Sequence, residues 1–206
     1  MRKTIVISSI ILFFLIFLQS FFSILYDYDF YKEEFVKNNV KEIGKEDMVL
    51  NLFNYFEGKE NISSEYFNEK ERLHLVDVKN LINIASVLYY ILLFCLIFSL
   101  FYLHKGKKKF SLSLKRIFNF SGLAVIGFTL ISVLLQKHFT YFFIKFHEIL
   151  FSNDLWLLNP KTDVLIRLFP EQFFIDIVSI IFIKSVVFAF VLFGISFILH
   201  KFLKRN

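Results

Sequence analysis

The sequence predicts an all-α membrane protein in which four transmembrane helices carry a small helical extracytoplasmic cap. Three observations lead there. Of the 206 residues, 56% are apolar and 20% aromatic, and the mean hydropathy of +0.59 is too high for a soluble domain with a polar coat. The apolar residues gather in four runs, each long enough to cross a bilayer. The basic residues collect in three short segments beside those runs.

A hydrocarbon core about 30 Å thick needs roughly 20 residues of helix, because there the backbone can bond only to itself. Residues 4–25, 81–103, 117–136 and 177–199 meet that requirement. The first run follows Met1-Arg2-Lys3 in the manner of a signal peptide. It is longer than a signal's apolar region and shows no A-x-A-like cleavage site before Tyr26, so it is expected to remain as an anchor. Arg2, Lys3, Lys105, Lys107, Lys108, Lys109, Lys115, Arg116, Lys201, Lys204 and Arg205 fall at the two termini and in the loop 104–116, with no acid among them. The positive-inside rule places these segments in the cytoplasm and residues 26–80 and 137–173 outside. The net charge of +6 is therefore a mark of topology and possible contact with lipid phosphate; no nucleic-acid partner is expected. The single Cys95 lies within an apolar run and excludes a disulfide scaffold.

The outer segments are patterned. In residues 26–80, with 13 acids against 8 bases, Met48, Val49, Leu52, Phe53, Tyr55 and Phe56 recur at helical spacing and Gly58 supplies a stop. This helix is expected to lie on the membrane or under the cap. Asn68 precedes Glu71 by three positions, a capping-box-like start for a helix that runs through His74 and Asp77 into the second span. In residues 137–173, Asn153-Asp154 and Asn159-Pro160 read as turns, Thr162 as the start of a short helix, and Pro170 as the entry to the fourth span. Aromatic residues crowd this segment, as interfacial belts or, for a few, as the wall of an acyl pocket.

Five histidines carry the candidate chemistry. His104 and His200 stand among cytoplasmic lysines, and His138 beside Lys137, in interfacial positions. His74 and His147 lie at the outer boundary near Asp77 and near Glu148 and Asp154. An imidazole exchanges protons at neutral pH, and a neighbouring carboxylate can fix its tautomer. From the residues alone a catalytic pair and a structural role both remain open. His147-Glu148 begins H-E-x-x-H, but the fourth position onward holds Phe151, so that zinc motif fails. Lys184, inside the fourth span, is read as snorkelling, with Asp176 or a lipid phosphate as alternative partners.

Two blocks resemble the bacterial lipoprotein intramolecular transacylase family, small four-span membrane proteins. They are Glu71-Arg72-Leu73-His74-Leu75-Val76-Asp77-Val78-Lys79 and Phe146-His147-Glu148-Ile149-Leu150-Phe151-Ser152-Asn153-Asp154-Leu155-Trp156-Leu157-Leu158-Asn159-Pro160, continuing through Thr162 to Arg167, Pro170 and Glu171. Tyr26-Asp27-Tyr28-Asp29-Phe30-Tyr31 is a weaker third. Asn159 departs from the family, in which Asp is common before the proline.

The resemblance implies a transacylase at the outer face of the cytoplasmic membrane that passes the sn-2 acyl chain of a diacylglyceryl-modified lipoprotein to its N-terminal amine, yielding a lyso-form lipoprotein. It implies His74 and His147 as the catalytic pair, with Asp77, Asp154, Lys79 and Asn153 in support. Tyr26, Asp29, Tyr31, Phe146, Phe151, Trp156, Asp163 and Arg167 would line the substrate pocket, and no metal or organic cofactor is required. Two other classes compete: a metal-dependent hydrolase with His74, His147 and Asp154 as ligands, and a non-enzymatic lipid- or lipoprotein-binding protein.

Overall fold

The computed structural model describes residues 2–40, 46–104 and 107–205. Lys105, and the side chains of Lys107, Lys108 and Arg205, lie outside the described residues. Among the described residues every regular element is helical: α1 Arg2–Leu25, α2 Tyr28–Lys37, α3 Glu46–Phe56, α4 Glu69–Leu103, α5 Lys107–Leu135, α6 Phe139–Leu150, α7 Val164–Leu168 and α8 Glu171–Arg205, with a 3-10 turn at Gln136–His138 before α6. Four helical stretches are long and apolar enough to cross a membrane. The chain divides into two compact units, one of residues 1–23, 85–135 and 179–206 and the other of residues 24–84 and 136–178.

In the first unit α1 is the hub. Its serines bond each of the other three helices: Ser8 Oγ lies 2.8 Å from Ser99 Oγ of α4, Ser121 Oγ of α5 donates to the Ser9 backbone carbonyl, and Ser185 Oγ of α8 donates to Ser20 Oγ. The same hydroxyls also bond carbonyls in their own helix four residues back, as Ser8 does to Thr4 and Ser185 to Ile181. Each of these serine hydroxyls thus spends its hydrogen inside the helices and not on lipid. Ile5 packs with Leu103 and Ile117, and Ile16 with Val125 and Ala189. Gly122 admits the Phe193 ring so closely that an added Cβ would lie 2.7 Å from its Cζ. Lys184 Nζ bonds the Ser23 hydroxyl at 3.1 Å. Of its two expected alternatives, Asp176 is taken by Lys37 at 2.9 Å.

The second unit has its own core. α3 does not lie free: Met48, Val49, Leu52 and Phe53 are buried against Tyr31, Phe35, Phe67 and Leu165, and Gly58 ends the helix in the left-handed region at φ 77°, where only glycine avoids a Cβ clash. Tyr31, Phe35, Phe53, Phe169 and Phe173 interlock, mostly edge to face, the arrangement that ring quadrupoles favour.

The start of α4 is closed by the expected capping box. Asn68 Oδ1 accepts from Glu71 N at 3.0 Å and Glu71 Oε2 accepts from Asn68 N at 2.8 Å. Both residues then reach α7. Glu71 Oε1 accepts Leu165 N at 2.6 Å, and Asn68 Nδ2 donates to Asp163 Oδ1 at 3.0 Å. Asp163, not Thr162, stands at the N-cap position of α7, without a side-chain bond to that helix, and its second oxygen accepts Asn159 N at 2.7 Å. Glu71 is only 1% exposed, so its carboxylate serves two helix ends at once. Glu71→Ala strands two buried amide N–H groups at about 1–3 kcal/mol each. We expect it to lower the thermal midpoint in detergent far more than Glu71→Gln, which keeps one acceptor oxygen; equal losses in the two variants would contradict the double cap.

Candidate active site

His74 is in the second turn of α4 and His147 in the last turn of α6, and the second unit brings their rings to 6.2 Å between centroids at an interplanar angle of 33°. Both side chains are buried. The Phe151 ring touches both, at 5.1 Å from His74 and 5.5 Å from His147. Trp156 lies over His147 at 5.0 Å, with Phe143 at 4.3 Å and Phe146 at 5.4 Å around it. Phe151 thus bridges the two imidazoles, and Phe143, Phe146 and Trp156 gather around His147.

The tautomer of His147 follows from its partner. Nδ1 is 2.7 Å from the Phe143 carbonyl, which can only accept, so Nδ1 carries the hydrogen and Nε2 keeps its lone pair. His74 Nδ1 is buried and has no hydrogen-bond partner among the described residues. Such an atom is costly to leave unpaired, and a substrate hydrogen-bonding group would satisfy it.

The loop after α6 is built to carry the rings. Phe151 N closes the helix on the His147 carbonyl at 2.9 Å. Asn153 then makes an Asx turn, its Oδ1 accepting Leu155 N, while its Nδ2 donates to Asp77 Oδ2 at 2.9 Å. Lys70 Nζ reaches the Leu157 carbonyl. With the Asn68–Asp163 bond, the first three turns of α4 hold this loop at three points, and Trp156 falls between the first two.

The other expected site residues are distributed. Asp77 meets Asn153, and its charge reaches His74 only through space; Asp154 is exposed at the turn, and the bond fixing His147 comes from the Phe143 backbone. Lys79 donates to the Tyr55 carbonyl and lies 4.2 Å over its ring. Tyr31 belongs to the core, Asp29 is exposed in the first turn of α2, and Tyr26 is exposed just beyond α1, its hydroxyl made less acidic by partial burial and by Glu57. Asp163 stands at the N-cap position of α7 with its carboxylate on Asn68, Thr162 and Asn159, and Arg167 Nε donates to its carbonyl at 3.2 Å. Among the described residues no three His, Cys, Asp or Glu side chains are grouped to hold a metal ion, so His74, His147 and Asp154 are not assembled as a ligand set. Sequence reasoning missed the Phe143 carbonyl and the reach of Glu71 to α7. The former was signalled only by the i−4 spacing to His147, and the latter had no local signal.

The family model described as lipoprotein intramolecular transacylase Lit matches residues 3–174. The chain belongs to this family. It is accordingly a membrane transacylase of the Lit family. The membrane-integral Lit of Bacillus cereus, solved in meso, has the same fold, with a TM-score of 0.82 at 22% identity over 100% of this chain and 98% of that one. Structures of that protein with a histidine replaced by arginine or by alanine give TM-scores of 0.78 at 22% identity, covering 99% and 100% of this chain and 93% and 96% of theirs. No curated protein matches the chain.

Burial lowers His74 from 6.5 to about 4, with repulsion from His147 adding to the shift and Asp77 opposing it; burial also lowers His147, against the Phe143 bond. Both imidazoles are then neutral at pH 7. The unfolded chain binds protons at these sites before the folded one does, so their contribution to stability is fully present above about pH 6.5 and falls as the pH drops toward 4. Thermal midpoints measured between pH 7 and 4.5 should decline less steeply in His74→Phe than in the parent chain; parallel slopes would show that His74 is not held neutral.

Proposed function

We propose that the protein moves the sn-2 acyl chain of a diacylglyceryl-modified lipoprotein to the α-amino group of its N-terminal cysteine, using His74 and His147 as the acid–base pair at the extracytoplasmic membrane interface. Family membership supplies the reaction class. The observation that supports the roles of the histidines is their enclosure together in an aromatic pocket, 6.2 Å apart.

The reaction is an O-to-N shift within one molecule. The amine nitrogen attacks the ester carbonyl, a C–N bond forms, and the C–O bond to glycerol breaks. Nitrogen loses one proton and the departing glycerol oxygen gains one, so no co-reactant is consumed. The cyclic intermediate counts N, Cα, Cβ and S of the cysteine, two glycerol carbons, the ester oxygen and the acyl carbon. Rings of about eight members close poorly unless their ends are held together, so positioning is a large share of the catalytic task.

Each imidazole suits a part. The Nε2 lone pair of His147 accepts the amine proton, and the Phe143 carbonyl on Nδ1 stabilises the imidazolium that results. His74 faces the other side of the reacting centre and returns a proton to the leaving oxygen. With the ring centroids 6.2 Å apart, the proton returns from His147 to His74 through a substrate group or a water between them, which restores the starting state. Phe151 and Trp156 keep bulk water from the developing oxyanion, so that fixed dipoles count for more there than in water. Lys79, Tyr26, Asp29 and Arg167 contribute at the margins, where polar parts of the lipoprotein backbone arrive. Both termini and the basic loop 104–116 face the cytoplasm by the distribution of charge.

The deciding experiment is fragmentation mass spectrometry of the N-terminal lipopeptide of a reporter lipoprotein, in a host that makes only the diacylglyceryl form with a free amine. The shift conserves mass, so fragments must locate the chain. Expression should yield N-acyl, monoacylglyceryl cysteine, and His74→Ala or His147→Ala should reduce conversion by at least about 100-fold with the protein still in the membrane. An unchanged lipopeptide in the presence of the folded protein would overturn the reading. Full activity in either variant would remove that histidine from the mechanism.

A further inference from the structure

The first unit has lysine and arginine as its only charged side chains: residues 1–23, 85–135 and 179–206 include no Asp or Glu. Any counter-charge for these bases must come from outside the unit. Arg2, Lys109, Arg116, Lys201 and Lys204 are exposed, whereas Lys115 of α5 is half-buried, and so is its partner, His200 of α8. Lys115 Nζ lies 3.0 Å from His200 Nδ1. An ammonium only donates, so Nδ1 accepts and the ring hydrogen is on Nε2. The pair thus offers N–H groups, from the ammonium and from Nε2, and no free acceptor.

The packing of α5 on α8 places this pair. The two helices run antiparallel, with Val125 beside Ala189 and the Phe193 ring against Gly122. Lys115 is seven residues before Gly122 and His200 seven after Phe193, so the same seam brings them together about two turns further on. Both helices belong to stretches long and apolar enough to cross a membrane, and the outward surface of α8 changes character at this level. Phe197 and Ile198 are 58% and 67% exposed. His200, Lys201 and Lys204 follow them, with Lys201 Nζ 4.8 Å over the Phe197 ring. An apolar surface that gives way to bases marks the depth where acyl chains give way to headgroups.

We propose that Lys115, His200 and Lys204 form a binding site for the phosphate of an anionic glycerophospholipid at the basic ends of α5 and α8. Lys115 and the His200 Nε2–H supply the hydrogen bonds. Lys204, one turn beyond His200 on the same side of α8, adds a charge that acts on the same imidazole. A phosphodiester brings oxygens that accept and the negative charge that the unit lacks. Lipid is the source, because its phosphate lies at the depth of the pair while its chains lie against Phe197 and Ile198. A zwitterionic headgroup would bring a further cation to a unit in which every charged side chain is positive, so the site selects lipids whose headgroup carries no ammonium.

Native mass spectrometry of the full chain, released from detergent after titration with one lipid at a time, tests the site without an assay of acyl transfer. Phosphatidylglycerol should bind with an apparent Kd at least about fivefold below that of phosphatidylcholine with the same chains, the preference that one lysine near a lipid surface provides. Lys115→Gln should remove that preference and Lys204→Gln should reduce it. Lys109→Gln, which deletes the same charge from the same end of α5 outside the cluster, should leave it intact. Phosphatidylglycerol should also raise the thermal midpoint of the parent chain and not that of Lys115→Gln; each shift is read within one variant, so a difference in intrinsic stability does not enter. Equal binding of the two lipids by the parent chain would overturn the proposal. Equal losses in Lys115→Gln and Lys109→Gln would show a diffuse attraction to the basic end and overturn it as well. Disappearance of the thermal shift when inorganic phosphate replaces chloride at constant ionic strength would show a site for a soluble anion, which is equally incompatible with it.

Discussion

The carboxylate of Glu71 is the point on which the second unit turns. One oxygen closes the first turn of α4 and the other closes the first turn of α7, and the side chain is sealed from solvent between them. Asn68 and Glu71 thereby tie the start of α4 to Asp163 and Leu165 at the start of α7, far away in the chain. A buried carboxylate that gives both oxygens to backbone donors is well satisfied; with one donor missing it would be an unpaired charge in an apolar core. The same cap anchors one end of the loop that lies between α6 and α7. His74 is one turn beyond Glu71 on α4 and His147 stands at the start of that loop, so the cap, with the Asp77–Asn153 and Lys70–Leu157 bonds, helps to hold the two histidines together.

The two histidines have different electrostatic settings although both are buried. His147 has a backbone carbonyl to hold its proton on one nitrogen, whereas His74 has a distant carboxylate and an empty hydrogen-bonding position. Environments that differ in this way divide acid and base roles between like groups. Aromatic enclosure gives both rings a medium of low polarity, in which a neutral imidazole is the resting form. Such a pocket is suited to moving one proton between two neutral partners, and an acyl shift from oxygen to nitrogen requires that movement.

Much of this was legible in the sequence because it is local. The four spans follow from apolar run length, α3 from the spacing of Met48, Val49, Leu52 and Phe53 with Gly58 after it, and the box at Asn68 and Glu71 from a separation of three. Both histidines stood out as ionisable residues beside acids at the boundary of an apolar run. What escaped was nonlocal or carried by the backbone. Nothing near Asp77 in the chain indicates that it would bond Asn153, 76 positions away, and Asp163 reads equally well as a pocket acid or a cap until its donors are in place. Tyr31 has the composition of a binding residue and the surroundings of a core residue, and only packing against Phe53 and Phe173 distinguishes the two.

The serines of α1 have a bearing on how the membrane unit is assembled. α1 precedes α4, α5 and α8 in the chain, so it meets lipid before any of its three partners is made. Ser8, Ser9 and Ser20 each return a hydrogen bond to a carbonyl four residues earlier, and on a solitary α1 these three hydroxyls therefore have no hydrogen left over during that interval. The oxygen lone pairs and the remaining carbonyl capacity stay open for the later arrivals, and Ser99, Ser121 and Ser185 use them in turn. The first helix can thus wait as a stable insertion intermediate and still act as the template on which the others dock, without breaking a bond to do so.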